Sequence, residues 1–205
     1  MVATASSFAA EVGDRYREVF TDLGAARVDP ILAQARPAAN DDTHAALVER
    51  ATGVFLTGGN QLRLSSTIGG TRLSRAIEER HQAGAVVAGT SAGASALSTH
   101  MIAFGASGLT PKQRMAQISA GLGLLPGVII DQHFQQRNRL GRLLARLKEL
   151  GIENDTLVVF MNDNGGTAGT QIFNAGMRAQ KGTPWLGGTR ASSFWRWPAR
   201  LRPAD

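Results

Sequence analysis

Apolar positions along the chain follow two rhythms. From Glu11 to Leu23, Tyr16, Val19, Phe20 and Leu23 recur at helical spacing, and Gly24 closes the run. Asp42–Thr52 reads as a helix capped by Asp41 or Asp42, and Thr71–Gln82 as another ending near Gly84. Arg137–Leu150 is amphipathic, with Leu140, Leu143, Leu144 and Leu147 on one face. Short continuous apolar runs lie between these segments. Val54–Thr57 stops at Gly58-Gly59, Ala85–Ala88 drives into Gly89, and Val128–Ile130 ends in Asp131. Residues 27–32 are a further short strand candidate, and 111–120 are polar, loop-like or briefly helical. Strands alternating with helices predict an α/β domain with a doubly wound, mostly parallel sheet covered on both faces.

Folds of this kind place their chemistry at the carboxyl ends of strands. Three such ends carry reactive or polar groups: Gly58-Gly59-Asn60-Gln61, Ser91 and Asp131-Gln132-His133. Gly89-Thr90-Ser91-Ala92-Gly93 is G-x-S-x-G between a strand and a helix, the pattern of a nucleophile elbow. A tight turn there lifts the Ser91 hydroxyl above the sheet edge and brings the Ala92 N–H to where an oxyanion forms. A Gly-Gly turn lets backbone amides face a ligand, so Gly59 can supply the second N–H. The alternative is a small-residue turn that only packs a helix on a sheet. A serine hydroxyl needs a base within hydrogen-bond reach. His44 and His81 fall inside predicted helices, and His100 near the far end of the helix after Ser91. His133 alone sits at a strand terminus, which makes it the candidate general base over a capping or buried structural role.

Composition narrows the possibilities. The 205 residues suit one α/β domain, or one domain and a fragment. The absence of cysteine excludes disulfides, thiolate metal sites and a Cys nucleophile. No apolar run approaches the about 18 residues of a membrane span. Met1–Ser7 lacks the charged and apolar regions of a signal peptide, so a cytoplasmic location is expected. The net charge is +6, concentrated in Arg137, Arg139, Arg142 and Arg146 and in Arg190, Arg196, Arg200 and Arg202. With no nucleic-acid-binding signature and little aromatic interleaving, no nucleic acid is expected; an acidic substrate suits the first cluster. No cofactor or metal is called for.

Three blocks carry a resemblance: Thr57–Leu64, Gly89–Ala94 and Asp131–Arg142. Over residues 2–147 the chain resembles the cyanophycinase family, serine peptidases related to aspartyl dipeptidase. The resemblance implies a fold like class I glutamine amidotransferases with Ser in place of Cys. It also implies hydrolysis of cyanophycin, an arginine-substituted polyaspartate, to aspartyl-arginine dipeptides. Ser91 would be the nucleophile and His133 the base, with Gln61, Asp131, Gln132, Arg137, Arg139 and Arg142 forming the substrate-binding surface. Guanidinium forks suit a carboxylate-rich polymer. Relatives often pair, so a homodimer is a candidate state.

Two departures bear on this. The family begins with an additional segment, and Met1 falls almost inside its first strand, so the sheet is expected to be N-terminally truncated and short of ladder partners. From about Leu150 the chain instead resembles an internal piece of a type I sulfatase, in Leu150–Gly166, Asn174–Arg190 and Ser193–Pro198. There Asp163 and Asn164 would match calcium ligands and Lys181 a sulfate-contacting lysine. The C/S-x-P-x-R motif that supplies the sulfatase nucleophile is missing, and one Asp-Asn pair is too few ligands for calcium. The expected division is therefore a hydrolase domain over 1–149 and a segment over 150–205 that adds one strand, Leu157–Phe160, to the sheet and is otherwise loosely packed. The third member of the triad falls in Gly151–Thr156, with Glu153 the first candidate and Asp155 the second. The alternatives are a hydrolase of small aspartyl peptides and an inactive hybrid that retains only the binding surface.

Overall fold

The computed structural model describes residues 1–105, 116–133, 139–167 and 169–202. The chain divides into two compact units, Met1–Arg146 and Leu147–Asp205. Its architecture is α/β, with one parallel and two antiparallel two-stranded sheets among the described residues.

In the first unit, β1 (Gly53–Leu56) and β2 (Val86–Gly89) run parallel, Leu56 opposite Gly89. Val2 bridges both Ile31 and Leu56 in parallel, so the layer reads Ile31, Val2, β1, β2. Met1–Ala3 thus fill an interior position. Val2 N–H donates to Phe55 O (2.8 Å), Thr57 N–H to Val2 O (3.0 Å) and Ala3 N–H to Ile31 O (3.0 Å). The parallel part is shorter than the sequence predicts. Val128–Ile130 forms no strand, and Val128 and Ile129 are more than two-fifths exposed.

The helices at Ala9–Asp22, Asp42–Glu49 and Arg72–Gln82 follow the sequence signals closely, whereas those at Arg36–Ala39 and Gln61–Ile68 are not expected from them. α1 (Ala9–Asp22) lays Tyr16 and Phe20 on Phe55 of β1, both ring pairs 5.1 Å apart. A four-residue turn of helix, α2 (Arg36–Ala39), precedes α3 (Asp42–Glu49), where the Asp41 carboxylate accepts from Thr43 N–H (2.8 Å). This capping bond holds the Asp41 carboxyl below its ordinary pKa. α4 (Gln61–Ile68) is capped by Asn60, and α5 (Arg72–Gln82) by Thr71. Leu73, Ala76 and Ile77 of α5 are buried at helical spacing. With Val2, Leu56, Leu64, Ile68, Ala92 and Met101 they make the core.

Past β2 the structure departs from the helical reading. α6 (Ala92–Ala96) is one short turn, and β3 (His100–Gly105) follows, so His100 opens a strand. β3 pairs antiparallel with β4 (Ala116–Ala120), which the sequence presents as polar loop or helix, across a bulge between Ile102 and Phe104. Small residues in Ala92–Ala96 are compatible with a long helix. However, Leu122 and Leu125 N–H donate to Ala96 O and Leu97 O and take the place of further helical turns. In α7 (Leu140–Glu149), Arg142 and Ala145 are buried while Leu140 is 40% exposed.

In the second unit, β5 (Val158–Met161) pairs antiparallel with β6 (Ser193–Arg196), Val158 opposite Arg196. The run expected to join the first sheet has its partner there instead. α8 (Leu186–Thr189) packs through glycine: Gly165 N–H donates to Gly188 O (2.9 Å) and Gly187 N–H to Arg178 O (2.9 Å). No described helix is long and apolar enough to cross a membrane.

Candidate active site

Both glycines of Gly89-Thr90-Ser91-Ala92-Gly93 are required by close backbone approach. A Cβ on Gly89 would lie 2.5 Å from the Gly93 carbonyl carbon, and one on Gly93 would lie 2.2 Å from Leu56 O. The end of β2, the start of α6 and β1 are therefore in direct backbone contact, and the residue between them must turn sharply. Ser91 does so at φ 51°, ψ −113°, a conformation that costs a residue with a side chain about 1–3 kcal/mol. That sharp strand-to-helix turn is consistent with the elbow expected from the pattern.

His133, also at positive φ (52°), meets this turn. Its Nε2 lies 2.8 Å from Ser91 Oγ, and the Gln132 amide oxygen lies 3.5 Å from the same hydroxyl. With Nε2 unprotonated, the hydroxyl donates to the imidazole, as a general base requires.

The end of β1 supplies the facing wall. The Gly58 Cβ position is 3.4 Å from Ser91 Cβ. Gly59, at φ 141°, backs onto the Ala5–Ser6 peptide so closely that a Cβ would fall 2.1 Å from Ala5 O. Among the described residues, neither Gly59 N–H nor Ala92 N–H is taken by another backbone bond.

The remaining predicted residues divide. Gln132 faces the hydroxyl. Gln61 is buried, and its Nε2 donates to Ile102 O (3.0 Å) and Ala103 O (2.7 Å), so its amide fastens α4 to β3. Asp131, Arg139 and Arg142, which the sequence reading places on a substrate surface, face one another inside the protein. The Arg142 guanidinium grips the Asp131 carboxylate at both oxygens, Nε to Oδ2 at 3.1 Å and Nη2 to Oδ1. Arg139 Nη1 stands 3.7 Å from Asp131 Oδ1 and also donates to Gln132 O. These side chains are 2% (Arg142), 5% (Asp131) and 8% (Arg139) exposed. A guanidinium near an acidic residue reads the same in sequence whether it faces outward or inward. Arg137 lies outside the described residues. Glu153 and Asp155 belong to the second unit, in a turn closed by Asp155 N–H to Ile152 O (3.1 Å).

Two residues close to these contacts escape the sequence reading. Ser95, buried in α6, donates from Oγ to Ile130 O (2.8 Å). Arg63 follows the Asn60 cap, is exposed, and donates from Nη1 to Ser7 Oγ (3.2 Å), two residues beyond the Ala5 carbonyl that abuts Gly59. Only the arginine in the Thr57–Leu64 block gave any signal.

A cavity of about 530 Å³ bounded by Phe20, Ile31, Val48 and Phe55 contains none of the predicted site residues. In the second unit Asn164 Nδ2 donates to Asp163 Oδ1 (2.7 Å). Among the described residues no group of three or more His, Cys, Asp or Glu side chains is arranged to hold a metal.

A serine hydroxyl on a tight turn with an imidazole nitrogen 2.8 Å away is an arrangement that serine hydrolases use, and comparison gives the family. The chain belongs to peptidase family S51, whose model matches residues 2–166. Cyanophycinase from Trichormus variabilis is 40% identical over 170 residues, covering 80% of this chain and 57% of that protein. The chain thus spans little more than half the length of the curated relatives it matches. A solved peptidase structure from an acI-B1 Actinobacterium superposes with a TM-score of 0.54 at 27% identity, covering 66% of this chain and 54% of that one. Steryl-sulfatase from Mus musculus is 40% identical over 72 residues, 31% of this chain and 12% of that protein.

Proposed function

We propose that this chain carries the catalytic centre of a serine-type peptidase that hydrolyses cyanophycin to aspartyl-arginine dipeptides. The observation that supports it most is the 2.8 Å contact between Ser91 Oγ on the strained turn and His133 Nε2. In this reading Ser91 Oγ attacks the scissile carbonyl as its proton passes to His133 Nε2. The oxyanion forms against the N–H groups of Ala92 and Gly59, held in place before the reaction begins. His133 then protonates the leaving amine; a water gives its proton to His133 as it attacks the acyl carbonyl, and His133 returns that proton to Ser91 Oγ as the acyl group leaves as a carboxylic acid. Ile31, Val2, β1 and β2 are taken as the centre of a doubly wound sheet of the glutamine amidotransferase type.

The substrate is proposed from the cyanophycinase relatives and from the chemistry of the rim. Among the described residues Arg139 and Arg142 are occupied by Asp131, so Gln132 at the hydroxyl and the exposed guanidinium of Arg63 are the groups proposed to meet a carboxylate-rich chain, with Arg137 kept as a candidate from the sequence. Incubating the protein with cyanophycin and quantifying aspartyl-arginine by chromatography tests the reading. Release by the wild type and a loss of at least about 10³-fold in Ser91→Ala are expected. Release of free dipeptide from short aspartyl peptides alone would favour the small-peptide hydrolase. No release from either substrate would leave a binding protein.

A further inference from the structure

The segment that carries His133 is expected from the sequence to be a strand end, yet Val128–Ile130 has no ladder among the described residues. A ladder would fix the position and direction of the catalytic imidazole. Side chains contact three successive residues there instead. Ser95 Oγ donates to Ile130 O at 2.8 Å. Arg142 holds the Asp131 carboxylate bidentately. Arg139 donates to Gln132 O, the carbonyl directly before His133. His133 is at φ 52°, a backbone conformation that persists only where its surroundings over-determine it.

We propose that Ser95, Arg139 and Arg142 are positioning residues that replace a strand ladder and hold the Ile130–Gln132 backbone so that His133 Nε2 meets Ser91 Oγ. Ser95 is well placed for this. It lies one helical turn beyond Ser91 on α6, so one short helix carries the nucleophile and also anchors the segment bearing its base. Asp131 gives the arginines an internal counter-charge, which lets two guanidinium groups be buried beside the site. A substrate-binding arginine would have its fork open to the ligand, whereas these forks close on the chain's own carboxylate and carbonyl.

The inference rests on the Ser91–His133 pair as the catalytic pair. Its test combines turnover with a readout that needs none. Ser95→Ala, Arg139→Met and Arg139→Lys are compared with wild type on cyanophycin and on a small uncharged ester. The His133 imidazole is followed by ¹⁵N NMR. A displacement of about 1 Å in a reacting group costs about 10²-fold. Ser95→Ala and Arg139→Met should therefore lower kcat by about 10-fold or more on both substrates, leave KM within about two-fold, and shift the imidazole resonances. Arg139→Lys, which keeps a donor for Gln132 O, should recover most of the loss. Ser95→Ala keeps the test decisive if Arg139→Met does not fold, because it removes one hydroxyl from a helix that favours alanine. A rise in KM on cyanophycin alone, with kcat and the imidazole signals unchanged, would overturn the proposal and return Arg139 to the substrate. Unchanged imidazole signals in every folded variant would also overturn it. If the wild type hydrolyses nothing while the imidazole signals still move, the reaction falls and the positioning role stands.

Discussion

The first unit holds Ser91 and His133 at positive φ, and the second holds Ala175 and Ala179 there. Their supports differ. Around Ser91 the glycine contacts are backbone against backbone, over a core in which Val2, Leu56, Leu64 and Ile68 are fully buried. Ala175 and Ala179 sit in turns tied by the Asn174 amide to Met177 O and Ala179 O, and nearby Ile172 and Phe173 are 92% and 79% exposed. Strain is kept where packing leaves the chain no other path. That describes the turn at Ser91, whereas the turns at Ala175 and Ala179 are held by one side-chain amide.

Gly93→Ala should have the largest effect. The new methyl would meet Leu56 O at 2.2 Å with backbone on both sides, so a loss of about 3 kcal/mol or more is expected in a denaturant melt. A wild-type melt would show that the elbow is not tightly packed. Leu56→Ala comes next, at about 2–5 kcal/mol for a fully buried leucine. Its counterpart in the second unit, Ile172→Ser, should stay within about 0.5 kcal/mol. Comparable losses from the two would erase the contrast between the units.

Limited trypsin digestion probes the contrast without mutation. Arg178 and Lys181 are exposed, and cleavage after them should precede any cut near Ser91. Simultaneous cleavage of both regions would mean that they open together. The smallest effect is expected for Arg63→Gln. An exposed guanidinium meeting a substrate carboxylate contributes about 0.2–1 kcal/mol, read as a rise in KM on cyanophycin of at most a few-fold, reduced further by salt.

Much of this was legible in the sequence, for physical reasons. Gly89 and Gly93 are obligatory where backbones touch, so the elbow leaves a mark that any reader of the chain can find. Asp41 and Thr71 cap the helices expected at those positions through bonds local in sequence, whereas α4 behind its Asn60 cap was not expected. Long-range choices were not legible. Met101, Ile102 and Ala103 follow a small-residue helix without a breaker, and only pairing with Ala116–Ala120 makes them a strand. Val128–Ile130 has the composition of a strand but is tied through Ser95 instead. Arg139 and Arg142 looked like substrate forks because their carboxylate is supplied from within, eight and eleven residues earlier in the chain.

The central claim is that Ser91 is a nucleophile activated by His133. A fluorophosphonate probe, followed by mass mapping of the labelled peptide, tests it most directly. The label should sit on Ser91, be absent in Ser91→Ala, and form at least about 10²-fold more slowly in His133→Ala. Labelling of another residue, or of Ser91 at an undiminished rate without His133, would contradict it.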